Sequence, residues 1–298
     1  MSITSFVQYL QLEKKYASHS VTAYQRDLNS FLTFCADQFG RTDIENLDYS
    51  FIRYWIVSLV DNKISNRSVN RKMSALKSYY NFLLKSKQIS SHPMAAHKSL
   101  KTSKRVNVPF NADEMKEVME LLTQGEDLIS VRNRLIVEML YTTGMRRAEL
   151  IGLSESDIDL SAMVYKVTGK RNKQRYIPIL NSVVPTINRY RELKGEVKDP
   201  DAAFFNTESG KKLYPTLVYR IVNDYFSKVS SKVKKSPHII RHSFATHLLN
   251  EGADLNSVKE LLGHASLAST QVYTHNSLNE LKKMYNQAHP RSIKNQEL

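Results

Sequence analysis

Four side chains suited to phosphodiester chemistry lie close together near the C-terminal end of the chain. They are His238, Arg241, His264 and Tyr273. An arginine can bind phosphate oxygens through two parallel hydrogen bonds, a histidine changes its charge near neutral pH, and a phenol can act as a nucleophile. Neither packing nor solubility requires this combination. It indicates a site that binds a phosphodiester and attacks it.

The first two of these side chains are predicted to lie on one face of a helix. Pro237 suits the first turn of a helix, Gly252 suits its end, and His238 precedes Arg241 by three positions. Free backbone donors at such an N-terminus favour anions. His242 follows His238 at helical spacing, but the segment lacks the glutamate of a zinc-protease helix, and Arg241 would repel a cation. We therefore expect no metal at this helix.

Two basic residues further upstream extend the candidate site. Arg146 in TGMRRAEL follows a predicted helix break at Gly144, and Glu149 lies one turn on, where its carboxylate can orient the guanidinium. Lys170 in TGKRNKQR lies in a predicted hairpin turn and can protonate a departing 5′-oxygen. Taken alone, Arg146 fits an ordinary helix end and Lys170 an exposed loop.

Together these residues make a set suited to transesterification. Arginines and histidines can stabilise the charge that builds on the nonbridging oxygens of a phosphodiester under attack. The sequence contains no Asp/Glu cluster of the kind that a two-metal nuclease uses. We therefore expect the reaction to need neither a divalent metal nor a cofactor.

The charge of the chain favours a polyanionic partner. Lys and Arg number 43 against 29 Asp and Glu, which gives a net charge of +14. The stretch 62–112 has no acidic residue and eleven basic ones, which is typical of a phosphate-facing surface. A predicted helix over 66–85 carries the candidate DNA-binding residues, although a solvated helix face would explain part of the pattern; these residues are Arg67, Arg71, Lys72 and Lys77.

The periodicity of apolar residues predicts a mainly α protein. Helical spacing recurs in 20–39, 51–59 and 66–85, and Asn111 with Glu114 forms a capping-box signature. Further helices are predicted over 132–143 and over 254–263. Two short strands over 164–168 and 175–179 indicate a hairpin. We predict a helical DNA-binding domain over 1–98, a linker over 99–109, and a mixed α/β, mostly helical catalytic domain over 110–298 with a small antiparallel sheet.

Composition excludes several other classes of protein. No apolar run approaches the length of a membrane span, and the first residues lack the design of a signal peptide. Cys35 is the single cysteine and lies in an apolar helical stripe, which predicts a buried thiol in a reducing cytosol and excludes a disulfide framework.

The order and spacing of these motifs resemble the tyrosine recombinase (phage-integrase-like) family, and most closely its Xer-type bacterial members. The resemblance covers nearly the whole chain, from the helical N-terminal half to the closing HPRS. It is carried by TGMRRAEL, TGKRNKQR, SPHIIRHSFATHLL and LLGHASLASTQVYTH, which hold Arg146, Lys170, His238, Arg241, His264 and Tyr273 in the family's order.

This resemblance implies a role for each residue. Tyr273 would be the nucleophile that forms a 3′-phosphotyrosyl bond. Lys170 would protonate the 5′-hydroxyl, and the remaining four residues of the set would bind and polarise the scissile phosphate. The usual lysine turn is Gly-Lys-Gly-Asn-Lys, and Arg171 here replaces its second glycine, so Lys173 is a less remote alternative for the acid.

The resemblance also implies an assembly. Family members clamp DNA between a SAM-like helical domain and the catalytic domain. They act on two DNA sites as homotetramers or as heterotetramers with a paralogous recombinase, and pass through a Holliday junction. Xer-type members resolve chromosome dimers, and a DNA translocase can activate them. The amphipathic tail over 276–289 would dock on a neighbouring subunit; without the family it would be a terminal helix on its own core. A cytoplasmic, nucleoid-associated protein is expected.

Three other functions remain open at this point. A type IB topoisomerase would use the same residues for nicking and swivelling, and a mobile-element integrase would share the fold. A DNA-binding protein that has lost catalysis is the non-enzymatic alternative. The complete set of six residues, the compact size and the tail favour an active recombinase.

Overall fold

The computed structural model describes residues 3–103, 108–169, 172–263, 285 and 287–292. It divides into two compact units, Met1–Arg105 and Val106–Leu298, each with its own hydrophobic core. No helix in these described residues is long and apolar enough to cross a membrane. The fold is mainly α with a small antiparallel sheet, as predicted.

The first unit is a helical bundle. Its helices are α1 Ile3–Leu12, α2 Ser18–Phe39, α3 Tyr49–Asp61 and α4 Asn66–Lys85. Helix α2 ends where Gly40 adopts a left-handed conformation with φ 63°, and α4 begins where the Ser65 side chain accepts a hydrogen bond from the Ser68 N–H. The bounds predicted for α4 are confirmed.

The core of this unit is formed by the apolar stripes that the sequence predicts. Cys35 is fully buried, and burial, followed by the charge of Asp43, raises the pKa of its thiol to about 11. The thiol is therefore protonated and unreactive at neutral pH. The apolar face of α4 packs inward through Val69, Met73, Leu76, Tyr80 and Leu83.

The second unit combines helices with a three-stranded sheet. Its first helices are α5 Ala112–Leu122, α6 Leu128–Thr143 and α7 Arg147–Gly152. A 3₁₀ turn then leads to strands β1 Ile158–Asp159, β2 Val164–Thr168 and β3 Gln174–Pro178, which pair antiparallel in the order β1-β2-β3. The remaining helices are α8 Val184–Lys194, α9 Pro215–Val229, α10 Pro237–Asn250 and α11 Leu255–Leu262.

Helix α6 lies at the centre of this unit. Every residue from Leu135 to Thr143 is buried, and the helix packs against α5, α8 and α10. Asp127 caps its first turn, and Gly144 ends it with φ 59°. The predicted C-terminal end of this helix is confirmed, whereas the helix begins four residues earlier than predicted because of the Asp127 cap.

The described part of the C-terminal tail packs on its own chain. Tyr285 is fully buried in the core of the second unit, and its hydroxyl donates a hydrogen bond to the Thr142 carbonyl. Tyr285 therefore packs against α6 and α10 of its own chain. The docking of the tail on a neighbouring subunit stays a prediction, since residues 276–284 lie outside the described part of the chain.

Candidate active site

Arg146 and Glu149 form the ion pair that the sequence predicts. Arg146 immediately precedes α7, and Glu149 lies in the first turn of that helix. The Arg146 Nη1 donates to Glu149 Oε1 at 2.7 Å, and the Arg146 backbone N–H donates to Oε2 at 2.7 Å. The Arg146 side chain remains 42% exposed. The Glu149 carboxylate thus fixes the orientation of the Arg146 guanidinium, and the exposed part of this side chain is accessible to a ligand.

Arg175 was not predicted to belong to the site. It lies near the start of β3, only 7% exposed, and donates to both oxygens of Glu149 at 3.0 and 2.9 Å. A sequence signal did exist, because Arg175 and Ile177 occupy the inward positions of a short strand. An arginine at an inward strand position requires a buried partner.

Two arginines thus share the Glu149 carboxylate, and this determines its protonation. Burial by itself would raise the pKa of Glu149. The hydrogen bonds and charge of Arg175, together with the hydrogen bonds from Arg146, outweigh burial and hold the pKa below its ordinary value. Glu149 is therefore ionised at neutral pH.

Arg241 occupies the inner face of α10 and is also only 7% exposed. Its Nη1 donates to the Gly144 carbonyl at 2.7 Å and its Nη2 to the Leu262 carbonyl at 2.8 Å. Burial, followed by the positive charge of Arg146, lowers the pKa of Arg241 to about 10. An anion bound near these two guanidinium groups would relieve their repulsion.

Gly144 allows α6, α10 and α11 to approach closely enough for these bonds. A Cβ on Gly144 would come within 2.7 Å of two atoms of the Phe244 ring and 2.9 Å of Leu262. The φ of 59° is also one that side-chain-bearing residues rarely adopt. The glycine before Met145 is therefore required by packing as well as by the turn.

His238 lies in the first turn of α10, and its side chain is exposed. Contrary to expectation, this helix N-terminus offers few free backbone donors. The N–H groups of Ile239 and Ile240 both donate to the Ser236 carbonyl, and Pro237 has no N–H. Anion binding at this end of the helix therefore depends on side chains.

Lys170, His264 and Tyr273 lie outside the described residues, so their side-chain positions are not part of this geometry. The residues that precede two of them are described. A Cβ on Gly169 would lie 3.2 Å from Glu149 Oε1, and a Cβ on Gly263 would lie 3.2 Å from Arg175 Nη1. The residues just before Lys170 and His264 therefore both lie beside the ion pair of Glu149 and Arg175.

The cluster carries a net positive charge. Arg146, Arg175 and Arg241 contribute three cations, and Glu149 contributes one anion. Such an excess favours an anionic ligand such as a phosphodiester. Within the part of the chain that the structure describes, no group of three or more His, Cys, Asp or Glu residues could hold a metal ion.

The four candidate DNA-binding residues of α4 divide into two pairs. Arg67 and Lys77 have exposed side chains. Arg71, whose side chain is 45% exposed, also forms an ion pair with the buried carboxylate of Asp27 on α2, and Lys72 lies 3.4 Å from the same carboxylate. Arg71 and Lys72 therefore connect two helices, a structural role that the sequence did not indicate.

The sequence also matches a known protein family. Residues 109–280 match the Phage integrase family, and residues 3–87 match the Phage integrase N-terminal SAM-like domain. The chain is 37% identical over 296 residues to the tyrosine recombinase XerC of Anoxybacillus flavithermus, with 98% of each chain covered. It is 39% identical over 295 residues to the XerC of Bacillus pumilus, with 97% of this chain and 96% of that protein covered.

Solved structures share the fold. A crystal structure of the XerH site-specific recombinase bound to a palindromic difH substrate has a TM-score of 0.70 at 22% identity, over 95% of this chain and 83% of that one. The Tn1549 transposon integrase in complex with circular-intermediate DNA has a TM-score of 0.69 at 20% identity, over 94% of this chain and 98% of that one.

The chain belongs to the phage integrase family, the tyrosine recombinases. It is an enzyme of the class that breaks and rejoins DNA strands.

Proposed function

We propose that this protein recombines DNA at specific sites by metal-free transesterification, with Tyr273 as the nucleophile. The observation that carries the proposal is the cluster of three guanidinium groups around Glu149. It provides the positive charge that a phosphodiester and its transition state need. It also lies next to the residues that lead into Lys170 and His264.

The reaction balances without a cofactor. The Tyr273 oxygen forms a bond to phosphorus as the bond from phosphorus to the 5′-oxygen breaks, so one phosphodiester replaces another. The phenol releases its proton, and Lys170 supplies one to the departing 5′-oxygen. Arg146, Arg241, His238 and His264 bind and polarise the phosphate. A 5′-hydroxyl from a partner duplex then reverses these steps, so no ATP is consumed.

The proposed biological role is resolution of chromosome or plasmid dimers. Two DNA sites would be held by a tetramer, either of this chain alone or with a paralogous recombinase, and strand exchange would pass through a Holliday junction. The XerC relatives support this role. A location at the nucleoid in the cytoplasm, and activation by a DNA translocase, would accompany it.

The proposal can be tested on DNA that the protein itself selects. Full-length protein carrying Tyr273→Phe would be used to isolate its preferred duplex from a random-sequence library, hereafter the selected duplex. A plasmid with two direct copies of the selected duplex should then exchange strands with wild-type protein in the presence of EDTA. Relaxation of a supercoiled single-site plasmid without any exchange would instead indicate a type IB topoisomerase, and binding without cleavage a non-catalytic DNA-binding protein.

A further inference from the structure

We infer that Arg175 is a positioning residue for this reaction. Its guanidinium joins the segments that carry Arg146, Lys170 and His264, and fixes their relative geometry without touching the phosphate. The inference deepens the proposed function and rests on it. Arg175 is the last residue of the TGKRNKQR motif, but no role was predicted for it.

The contacts of Arg175 show how it links the segments. Its Nη1 and Nη2 donate to the two Glu149 oxygens at 3.0 and 2.9 Å, and its Nε donates to the Leu261 carbonyl at 2.9 Å. Glu149 in turn accepts from Arg146 Nη1 at 2.7 Å. A displacement of Arg175 would therefore move the carboxylate that orients the exposed guanidinium of Arg146.

The end of α11 is held from two sides. The carbonyl of Leu261 accepts from Arg175, and the carbonyl of Leu262 accepts from Arg241. Gly263 follows with φ 63°, and a Cβ there would lie 3.2–3.3 Å from three atoms of Arg175. The direction in which the chain leaves α11 towards His264 thus depends on where the Arg175 guanidinium lies.

The same guanidinium lies beside the turn that contains Lys170. A Cβ on Gly169 would lie 3.6 Å from Arg175 Nη1, and the Gly169 N–H donates to the Lys173 carbonyl at 2.7 Å. Arg175 follows this turn at the start of β3. Its attachment to α7 and α11 therefore anchors the C-terminal side of the turn.

The bonding of Arg175 assigns it to positioning rather than to the phosphate, because all three nitrogens of its guanidinium donate to Glu149 or Leu261. Arg175→Lys keeps a positive charge beside Glu149, so it avoids the destabilisation that follows when a buried carboxylate loses its charged partner. Lysine cannot reproduce the planar fork of an arginine. The geometry therefore predicts a larger effect of Arg175→Lys on reaction rate than on folding.

Arg132 provides a matched control. It is a buried arginine of the same unit, 4% exposed, and donates to the Asn206 carbonyl at 3.1 Å and to the Asn133 side chain at 3.0 Å. Those bonds lie outside the site. Arg175→Lys and Arg132→Lys would be compared in the full-length protein for thermal midpoint, affinity for the selected duplex, and single-turnover rate of covalent adduct formation on a nicked form of that duplex.

We expect Arg175→Lys to bind DNA within about twofold of wild type and to form adduct about 10- to 100-fold more slowly, since a small misplacement of catalytic groups has effects of this size. Arg132→Lys should react within about threefold of wild type. In a Glu149→Gln background, Arg175→Lys should slow the reaction by a smaller factor than in wild type, because one of the contacts through which Arg175 acts is already weakened.

Two results would overturn the inference while leaving the proposed function intact. Arg175→Lys could react as fast as Arg132→Lys, or it could slow the Glu149→Gln protein by the same factor as it slows wild type. Absence of adduct with wild-type protein would instead overturn the proposed function, and the inference with it.

A second variant covers the case in which Arg175→Lys fails to fold. Gly263→Ala keeps the arginine but places a methyl group against it. Gly40→Ala has the same φ of 63° with nothing within 4 Å of the added Cβ, so it shares only the backbone strain. Gly263→Ala should form adduct at least about tenfold more slowly than Gly40→Ala, and equal rates would overturn the inference.

Discussion

The Glu149 carboxylate is the shared partner of an exposed and a buried guanidinium. Because Arg175 and Arg146 both donate to it, the carboxylate stays ionised although it is only 6% exposed. One of the guanidinium groups faces solvent, and the other is enclosed by protein. This asymmetry is suited to a site in which Arg146 binds the ligand and Arg175 fixes the position of the Glu149 carboxylate.

Histidines of the second unit differ sharply in burial. His289 is 1% exposed, and its Nε2 lies 3.4 Å from the Tyr141 carbonyl. His247 is buried beside the same tyrosine, with the Tyr141 hydroxyl 2.8 Å from its Nδ1. Burial lowers the pKa of His289 to about 3 and also lowers that of His247. Both rings are therefore neutral packing residues at physiological pH.

This difference predicts an acid-sensitive fold. The unfolded chain takes up a proton on His289 below about pH 6.5, whereas the folded chain does not until about pH 3. Stability should therefore fall as pH drops through this window, by up to about 1.4 kcal/mol per pH unit for this histidine. Chemical denaturation at several pH values measures it. His289→Gln should flatten the pH dependence and the exposed His242→Gln should not; equal slopes in all three proteins would contradict the assignment.

At the scale of elements, the junction of α6, α10 and α11 positions the site. Gly144 ends α6, and its carbonyl accepts from Arg241. The close approach of Phe244 and Leu262 leaves no room for a side chain at this turn. Packing of three helices and placement of the Arg241 guanidinium thus depend on the same glycine.

Gly144→Ala should therefore destabilise the second unit more than a comparable glycine change. Gly252→Ala is the control, since its φ of 86° is also positive but nothing lies within 4 Å of the added Cβ. The control should lose about 1 kcal/mol of unfolding free energy, and Gly144→Ala about 1–3 kcal/mol more because of overpacking. Equal losses in denaturant titrations would show that the junction can relax around a methyl group.

Helix α4 combines two kinds of basic residue. Arg71 compensates the buried charge of Asp27, and Lys72 lies over the Trp55 ring with Nζ 5.4 Å from its centroid. Arg67 and Lys77 are exposed. Because the Arg71 side chain is itself 45% exposed, it can contact DNA as well as Asp27, whereas Arg67 and Lys77 should affect DNA affinity without affecting folding.

Arg67→Gln and Lys77→Gln should each flatten the salt dependence of DNA binding. If each side chain neutralises one phosphate, the slope of log K against log salt should become shallower by about 0.9 per substitution, with little change in thermal midpoint. Arg71→Gln should instead lower the thermal midpoint, because it leaves the Asp27 carboxylate with Lys72 alone. An unchanged slope for Arg67→Gln and Lys77→Gln would remove this face from the DNA contacts.

At the scale of the whole molecule, local signals predicted the elements well. The apolar spacing of α4, the Asn111 cap of α5, the Gly144 end of α6 and the strands that flank the lysine turn were evident because they depend on neighbouring residues. The two-residue strand β1 carries too little pattern to be recognised. The pairing of Arg175 with Glu149, and of Arg71 with Asp27, depends on which elements meet in space, so single-sequence reasoning missed both.

Function was predictable because the site residues stand in short motifs with a fixed order along the chain. Arg146 and Glu149 belong to the start of α7 and Arg241 to α10, and Gly144 and Leu262 supply carbonyl partners for Arg241. The predicted roles of Lys170, His264 and Tyr273 remain proposals, since these residues lie outside the described part of the chain.

The central claim is that Tyr273 attacks the scissile phosphate, and capture of the covalent intermediate tests it most directly. Wild-type protein and a nicked form of the selected duplex should give a protein–DNA adduct that survives denaturing electrophoresis. The attached nucleotide should map to the peptide containing Tyr273. Tyr219→Phe, which changes an exposed tyrosine of α9, should form the same adduct, and Tyr273→Phe should form none. An adduct that persists in Tyr273→Phe, or that maps to another residue, would contradict the account.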